Sequence, residues 1–171
     1  MKDDLLIKHI RAGDEDAAEE LVRRYYPQIM RFCRWQCGDI DLAEDLTQDT
    51  FYKALRCLDQ YRKGGHFKAW LYSVAKSVCM DELRKHKPET DPDYDIYEIE
   101  DRNAGIQQIE NEEAIKQMLS VLPGDQKEAL TLRYMEGLSY REIGEVLGIP
   151  ARTAQSRVNL ALKLLRVKGE K

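Results

Sequence analysis

The clearest structural pattern in the chain lies in residues 138–165, LSYREIGEVLGIPARTAQSRVNLALKLL. Ser139 can cap a short helix, and Gly148 can end it because glycine adopts a positive φ at little steric cost. Pro150 suits the first turn of a second helix, and Gly144 leaves room for the two helices to cross closely. This arrangement predicts a helix-turn-helix.

The second helix of this motif has one apolar face and one polar face. Its predicted buried residues recur at helical spacing and are Ala154, Val158, Ala161, Leu162 and Leu165. Its predicted DNA-contacting residues are Arg152, Thr153, Gln155, Ser156, Arg157, Asn159 and Lys163. Arginine and glutamine can reach base edges, whereas serine, threonine and lysine can hold phosphates. A solvated helical hairpin is the alternative, but the two glycines and the basic second helix favour DNA binding.

Helical periodicity extends over most of the remaining chain, and no strand runs bounded by hairpin turns occur. We therefore predict an all-α protein. In the first helix, Leu5, Leu6 and Ile10 would point inward. Later helices would be capped by Asp14, Asp39 and Asp125, and after one interruption the periodicity resumes at Ile106 and Ile109.

The periodicity is interrupted between Pro88 and Gly105, a segment that contains two prolines and a run of acidic residues. Two small helical domains, residues 1–88 and 106–171, are expected on either side of an acidic linker, residues 89–105. The second domain would contain the helix-turn-helix.

Charge is distributed unevenly along the chain, although the net charge is only −4. Residues 61–88 carry seven basic side chains against two acidic ones, and residues 152–171 carry six against one. Residues 89–113 carry ten acidic side chains against one arginine. Two basic regions separated by an acidic tether predict two surfaces that contact DNA, although ordinary solvated faces could have the same composition.

Other functional classes find little support in the sequence. No stretch reaches the roughly 18 consecutive apolar residues of a membrane span, and the acidic N-terminus is unlike a secretory signal, so a cytoplasmic protein is expected. No phosphate-binding glycine loop, HExxH or nucleophile elbow occurs, so neither a cofactor nor catalysis is predicted. No CxxC pair occurs, and we expect buried structural thiols rather than a metal site at Cys33, Cys37, Cys57 and Cys79.

The N-terminal half contains a helix with an unusual polar side. Leu42 and Leu46 are predicted to point inward, while one side of the helix projects three acids and an amide, Glu44, Asp45, Gln48 and Asp49. Such a side suits a basic or polar helical partner. A merely solvated acidic face is the alternative.

Three blocks of sequence resemble bacterial sigma factors, in particular those of the extracytoplasmic-function (ECF) type. Residues 41–51, DLAEDLTQDTF, resemble the polymerase-binding helix of that family. Residues 67–75, FKAWLYSVA, followed by DELRK at 81–85, resemble its next block. The third block is LP at 122–123, ALTLRY at 129–134 and GLSY at 137–140. The resemblance covers nearly the whole chain outside the linker.

The resemblance implies a division of labour between the two domains. Residues 1–88 would dock on a coiled coil of the β′ subunit of core RNA polymerase and open the minus-ten promoter element. Residues 106–171 would dock on the β flap and read the minus-thirty-five element. Family members are commonly held inactive by an anti-sigma factor, so such a partner is expected as well.

The resemblance also implies a loop that captures bases, at residues 61–66. The residues expected to contact minus-ten DNA are Tyr61, Arg62, Lys63, Lys68, Lys76 and Ser77. Aromatic side chains could stack on displaced bases while basic side chains hold phosphates. Family members often carry asparagine at the position of Ser77, and serine is a shorter, weaker base reader.

A repressor or activator with an unrelated N-terminal sensing domain is the alternative function. It would keep the helix-turn-helix but leave residues 41–51 as an ordinary core element.

Overall fold

The computed structural model describes residues 2–62, 65–86 and 110–169, and within these ranges the chain forms helices and no strands. The predicted all-α class is confirmed. The α-helices are α1 (Asp3–Arg11), α2 (Glu15–Cys37), α3 (Ile40–Arg56), α4 (Phe67–Lys85), α5 (Glu110–Leu119), α6 (Gly124–Tyr134), α7 (Tyr140–Leu147) and α8 (Ala151–Gly169). A 3-10 turn at Leu58–Gln60 follows α3.

The chain divides into two compact units, Met1–Asn103 and Ala104–Lys171. The predicted linker, residues 89–105, lies outside the described residues, as do Ile106 and Ile109, which the periodicity assigned to the next helix. The exact domain boundaries therefore stay a prediction.

The first unit is built on α2, which packs against α1, α3 and α4. Its buried residues recur at three- and four-residue spacing, so one stripe of the helix faces the core. Phe32 packs edge-to-face on Tyr72 of α4, with ring centroids 5.2 Å apart. At the helix starts, the side chains of Asp14 and Asp39 accept hydrogen bonds from the backbone as the sequence predicts.

The short helix α1 turns a different face inward from the one that the sequence suggested. Leu6 and Ile7 are buried, whereas Leu5, predicted to be inward, is 44% exposed. The prediction was wrong at Leu5 because a nine-residue helix with adjacent apolar residues allows two faces at the same spacing. Arg11 then fastens α1 to the rest of the unit by donating hydrogen bonds to the carbonyl oxygens of Leu58 and Tyr61, each at 2.7 Å.

The cysteines lie within the first unit, and Cys33, Cys37 and Cys79 are buried, as predicted for structural thiols. Cys57 is half-buried. The Cys79 thiol donates to the Cys33 sulfur at 3.7 Å across α2 and α4. That hydrogen bond raises the pKa of Cys79, and burial raises it further, so Cys79 stays a neutral thiol.

The second unit packs α8 against α6 and α7. Ser139 and Glu142 form a reciprocal capping box at the start of α7, and Gly148 ends that helix with a φ of +67°. A Cβ built on Gly144 would lie 2.6 Å from the Ile149 carbonyl oxygen, so the turn passes too close to α7 for any side chain there. The predicted helix-turn-helix is therefore present.

The start of α6 differs from the expectation that Asp125 caps it. The helix begins at Gly124, and its N-cap residue, Pro123, makes no side-chain cap hydrogen bond. Asp125 lies inside the first turn instead, where its carboxylate contacts Arg157 of α8.

Candidate nucleic-acid interface

The acidic side of α3 is exposed as the sequence predicts. Its four members, which we call the acidic face, are Glu44, Asp45, Gln48 and Asp49. On the opposite side, Thr47 and Thr50 are fully buried and donate to the carbonyl oxygens of Ala43 and Leu46, so their hydroxyls are satisfied within the helix. None of the acidic face's carboxylates forms an ion pair with another residue in the described part of the chain.

The loop between α3 and α4 is anchored by Tyr61, which the sequence predicted as a DNA contact. Tyr61 is only 5% exposed, and its ring lies 5.4 Å from that of Phe67 and 5.7 Å from that of Trp70. Its hydroxyl donates to the Gly65 carbonyl oxygen at 2.7 Å. Tyr61 therefore supports the loop from beneath and offers no exposed ring on which a base could stack.

The neighbouring residues of the loop and of α4 are more accessible. Arg62 and Ser77 are exposed, and Lys68 and Lys76 are half-buried. The Lys68 ammonium lies 6.0 Å from the centroid of the Tyr72 ring. Lys63 lies outside the described residues. Four of the six predicted minus-ten residues thus lie on the surface of the first unit.

Lys53 was missed by the sequence reasoning and lies beside this group. Its ammonium donates a hydrogen bond to the Ser77 hydroxyl oxygen at 3.1 Å, joining the end of α3 to α4. A signal was present in the sequence, because α3 carries acids up to Asp49 and bases from Lys53 onward. A lysine ammonium can only donate, so the Ser77 hydroxyl keeps its own proton for another acceptor.

The outer side of α8 carries most of the residues predicted for minus-thirty-five DNA. The exposed ones are Arg152, Gln155, Ser156, Asn159 and Lys163. Thr153 is half-buried, while Ala154, Val158 and Ala161 form the buried face as predicted. Gly144 lets the turn approach α7 closely and Gly148 adopts the positive φ that ends α7, so α8 packs its buried face on the unit's core and leaves this outer side exposed.

Arg157 departs from the prediction. Its side chain is only 28% exposed, and its Nε lies 3.5 Å from the Asp125 carboxylate of α6. The guanidinium therefore connects α8 to α6, whereas the sequence assigned it to a DNA groove. This pairing joins residues more than thirty positions apart, so helix periodicity could not reveal it.

The described residues hold neither a metal-ligand cluster nor a membrane-spanning helix. Residues 2–62, 65–86 and 110–169 contain no cluster of three or more His, Cys, Asp or Glu side chains arranged to hold a metal ion. No helix within those same ranges is long and apolar enough to cross a membrane. What the geometry offers is two exposed charged surfaces, one acidic on α3 and one basic and polar on α8.

Comparison with known proteins identifies the chain. Residues 21–89 match the family Sigma-70 region 2, and residues 112–165 match Sigma-70, region 4. The ECF RNA polymerase sigma factor SigM of Mycobacterium tuberculosis is 32% identical, over 97% of this chain and 84% of its own. The ECF RNA polymerase sigma factor SigW of Bacillus subtilis is 29% identical, over 94% of this chain and 92% of its own. The chain belongs to the sigma-70 family, ECF type.

Solved structures support the same fold for this sigma factor. The sigma factor RpoE of Bartonella quintana, solved in complex with the anti-sigma factor NepR, gives a TM-score of 0.72 at 29% identity, covering 86% of this chain and 93% of that chain. CnrH, solved with the cytosolic domain of CnrY, gives a TM-score of 0.73 at 20% identity, covering 98% of this chain and 97% of that chain.

The predicted function is thereby confirmed at the level of the family: this sigma factor directs RNA polymerase to specific promoters. A repressor or activator with an unrelated N-terminal sensing domain is not favoured, because residues 21–89 match region 2.

Proposed function

We propose that this sigma factor binds core RNA polymerase through the acidic face of α3, with the β′ coiled coil as the partner. The observation that carries the proposal is the set of exposed carboxylates at Glu44, Asp45 and Asp49, which form no ion pair with described residues. Unpaired charges on a rigid helix favour a basic partner, because complementary charge speeds encounter and excludes partners of like charge. Residues 1–88 would act as region 2 and residues 106–171 as region 4, with the β flap as the partner of the latter.

Promoter DNA would be contacted by both units. In the first, Arg62, Lys63, Lys68, Lys76 and Ser77 would hold the minus-ten strand during opening, with Lys53 as an added member. In the second, the exposed side of α8, which we call the recognition helix, would lie in the major groove of the minus-thirty-five element. Its exposed arginine, lysine, amide and hydroxyl groups supply both phosphate and base contacts.

Regulation by an anti-sigma factor fits the same surfaces. RpoE of Bartonella quintana, which is 29% identical to this chain, was solved with an anti-sigma factor bound. We propose that a comparable partner covers the polymerase-binding surface of this sigma factor. The chain itself would supply binding surfaces and no catalysis, and it would act in the cytoplasm because polymerase and chromosome are there.

Direct binding of the purified sigma factor to core polymerase, with run-off transcription as the functional readout, tests the polymerase contact. Reversing the charge at Asp45 and Asp49 to lysine should reduce core binding by at least tenfold, because each reversal turns attraction into repulsion. The matched control reverses Glu15 and Asp16, which are acidic, exposed on α2 and form no ion pair with described residues. Equal loss in both double variants, or full binding by the Asp45 and Asp49 variant, would refute the assignment of the acidic face.

A further inference from the structure

The exposed side of the recognition helix presents two of the predicted DNA-contacting residues as amides, Gln155 and Asn159. Arg157 is held by Asp125 and is mostly buried, whereas Gln155 and Asn159 are exposed. Neither amide makes a hydrogen bond, ion pair or ring contact with another residue in the part of the chain that the structure describes. Both are therefore available, donor and acceptor alike, to a partner outside the chain.

Amide groups have a preferred base in the major groove. The amide oxygen accepts from the adenine N6 amine while the amide nitrogen donates to N7, a paired contact that no other base offers in the same sense. Guanine is read by bidentate arginine instead. With Arg157 engaged by Asp125, Arg152 is the exposed arginine near the start of the helix, and Gln155 and Asn159 occupy its second and third turns.

The spacing of the two amides limits which bases they can reach together. Residues four apart lie on the same side of a helix, about 6 Å apart along its axis. Successive base pairs are about 3.4 Å apart, so the two amides span roughly two steps.

We propose that Gln155 and Asn159 read two adenines of the minus-thirty-five element, on either strand and separated by at most one base pair. The inference rests on the proposed function of the recognition helix and adds the base class that it reads. Arg152 and Lys163 lie before and after the amide pair on the exposed side and would hold phosphates.

The test uses full-length sigma factor in reconstituted holoenzyme. A fully randomised duplex library is selected by binding, and the enriched upstream block is aligned. Each adenine in that block is then replaced by 7-deazaadenine, which lacks the N7 acceptor. We expect this replacement to weaken binding by about 2- to 13-fold at each of two adenines, because it removes one of the two hydrogen bonds of the bidentate contact.

Protein variants show which amide side chain is responsible for each loss of binding. In Gln155→Ala one of the two 7-deazaadenine penalties should vanish, and in Asn159→Ala the other should vanish, because the contact is already gone. Gln155→Glu should shift the preference at its position towards cytosine, because the N4 amine of cytosine can donate a hydrogen bond to the carboxylate. Lys163→Ala is the control: it should weaken binding to all sequences alike and leave both penalties intact.

The possible failures are distinguishable. If an upstream block is enriched but lacks adenine, or if the penalties are the same in the wild type and both alanine variants, the amide pair does not read adenine while the sigma factor function stands. If no upstream block is enriched, the recognition helix does not read a minus-thirty-five element, and the inference falls with it.

Discussion

Tyr61 in the first unit and Arg157 in the second were both predicted to contact DNA, and both are engaged within the chain. The way in which each is engaged differs. Tyr61 is packed among Phe67 and Trp70 at 5% exposure, so exposing its ring means breaking an aromatic cluster. Arg157 is held by one carboxylate at 3.5 Å, with 28% of its side chain exposed.

Tyr61 is therefore part of the core of its unit, whereas Arg157 is a surface side chain held by a single ion pair. A buried aromatic ring contributes several kcal/mol to folding and cannot leave its site cheaply. A partly exposed ion pair contributes at most about 1 kcal/mol, so releasing Arg157 costs far less than exposing the Tyr61 ring. We therefore infer that Tyr61 acts on DNA only through the loop it supports, whereas Arg157 could exchange its carboxylate for DNA in a variant that weakens the pair.

Replacing Tyr61 should give the largest effect on stability. Tyr61→Ala removes a buried ring and should lower the free energy of unfolding of the first unit by about 3–5 kcal/mol. Urea unfolding followed by tryptophan fluorescence measures this, because both tryptophans, Trp35 and Trp70, lie in the first unit.

The matched variant, Tyr61→Phe, distinguishes the contribution of the ring to stability from that of the hydroxyl. It keeps the aromatic packing and loses the hydrogen bond to Gly65, for a cost of about 1 kcal/mol. Strand opening by holoenzyme should survive in this variant. An alanine variant of normal stability that nevertheless fails to open promoters would show that the ring contacts DNA directly.

Sequence periodicity predicted the helices, the caps at Asp14, Asp39 and Ser139, and most of the exposed residues of α3 and α8, because those depend on neighbours within a few positions. It could not predict the burial of Tyr61, since Arg11 and Phe67 reach it from other elements. It could not place Arg157 either, because its partner Asp125 belongs to another helix. Residues 61–66 look like an open loop locally, and only tertiary contacts make Tyr61 part of the core.

Gly144→Ala should give the next largest effect, confined to the second unit. The added Cβ would meet the Ile149 carbonyl oxygen at 2.6 Å, and the backbone shift needed should cost about 1–3 kcal/mol. Circular dichroism should show an earlier loss of helix, while the tryptophan transition of the first unit stays unchanged. Gly169→Ala is the control, because a Cβ there meets nothing within 4 Å. A shift of the tryptophan transition would contradict an effect confined to the second unit.

Lys53→Gln should affect DNA binding more than folding. It removes one positive charge beside Ser77 at the surface, so stability should change by less than about 0.5 kcal/mol. If Lys53 also contacts a phosphate, holoenzyme binding to a minus-ten fork probe should weaken and the slope of log affinity against log salt should fall by about one. An unchanged slope would restrict Lys53 to orienting Ser77.

Asp125→Asn weakens the hold on Arg157 and should lower the free energy of unfolding of the second unit by less than about 1 kcal/mol. The released guanidinium should strengthen DNA binding and add a preference for guanine near the positions read by Gln155 and Asn159. The double variant Asp125→Asn, Arg157→Ala isolates this contribution, because the gain should vanish when the arginine is absent. With Asp125 intact, Arg157→Ala should change binding to the selected upstream block by less than about threefold, well below the 1–3 kcal/mol typical of a base-reading arginine. A tenfold loss in that single variant would mean that the ion pair opens on DNA by itself, and Arg157 would then regain the base-reading role that its position on the helix suggested.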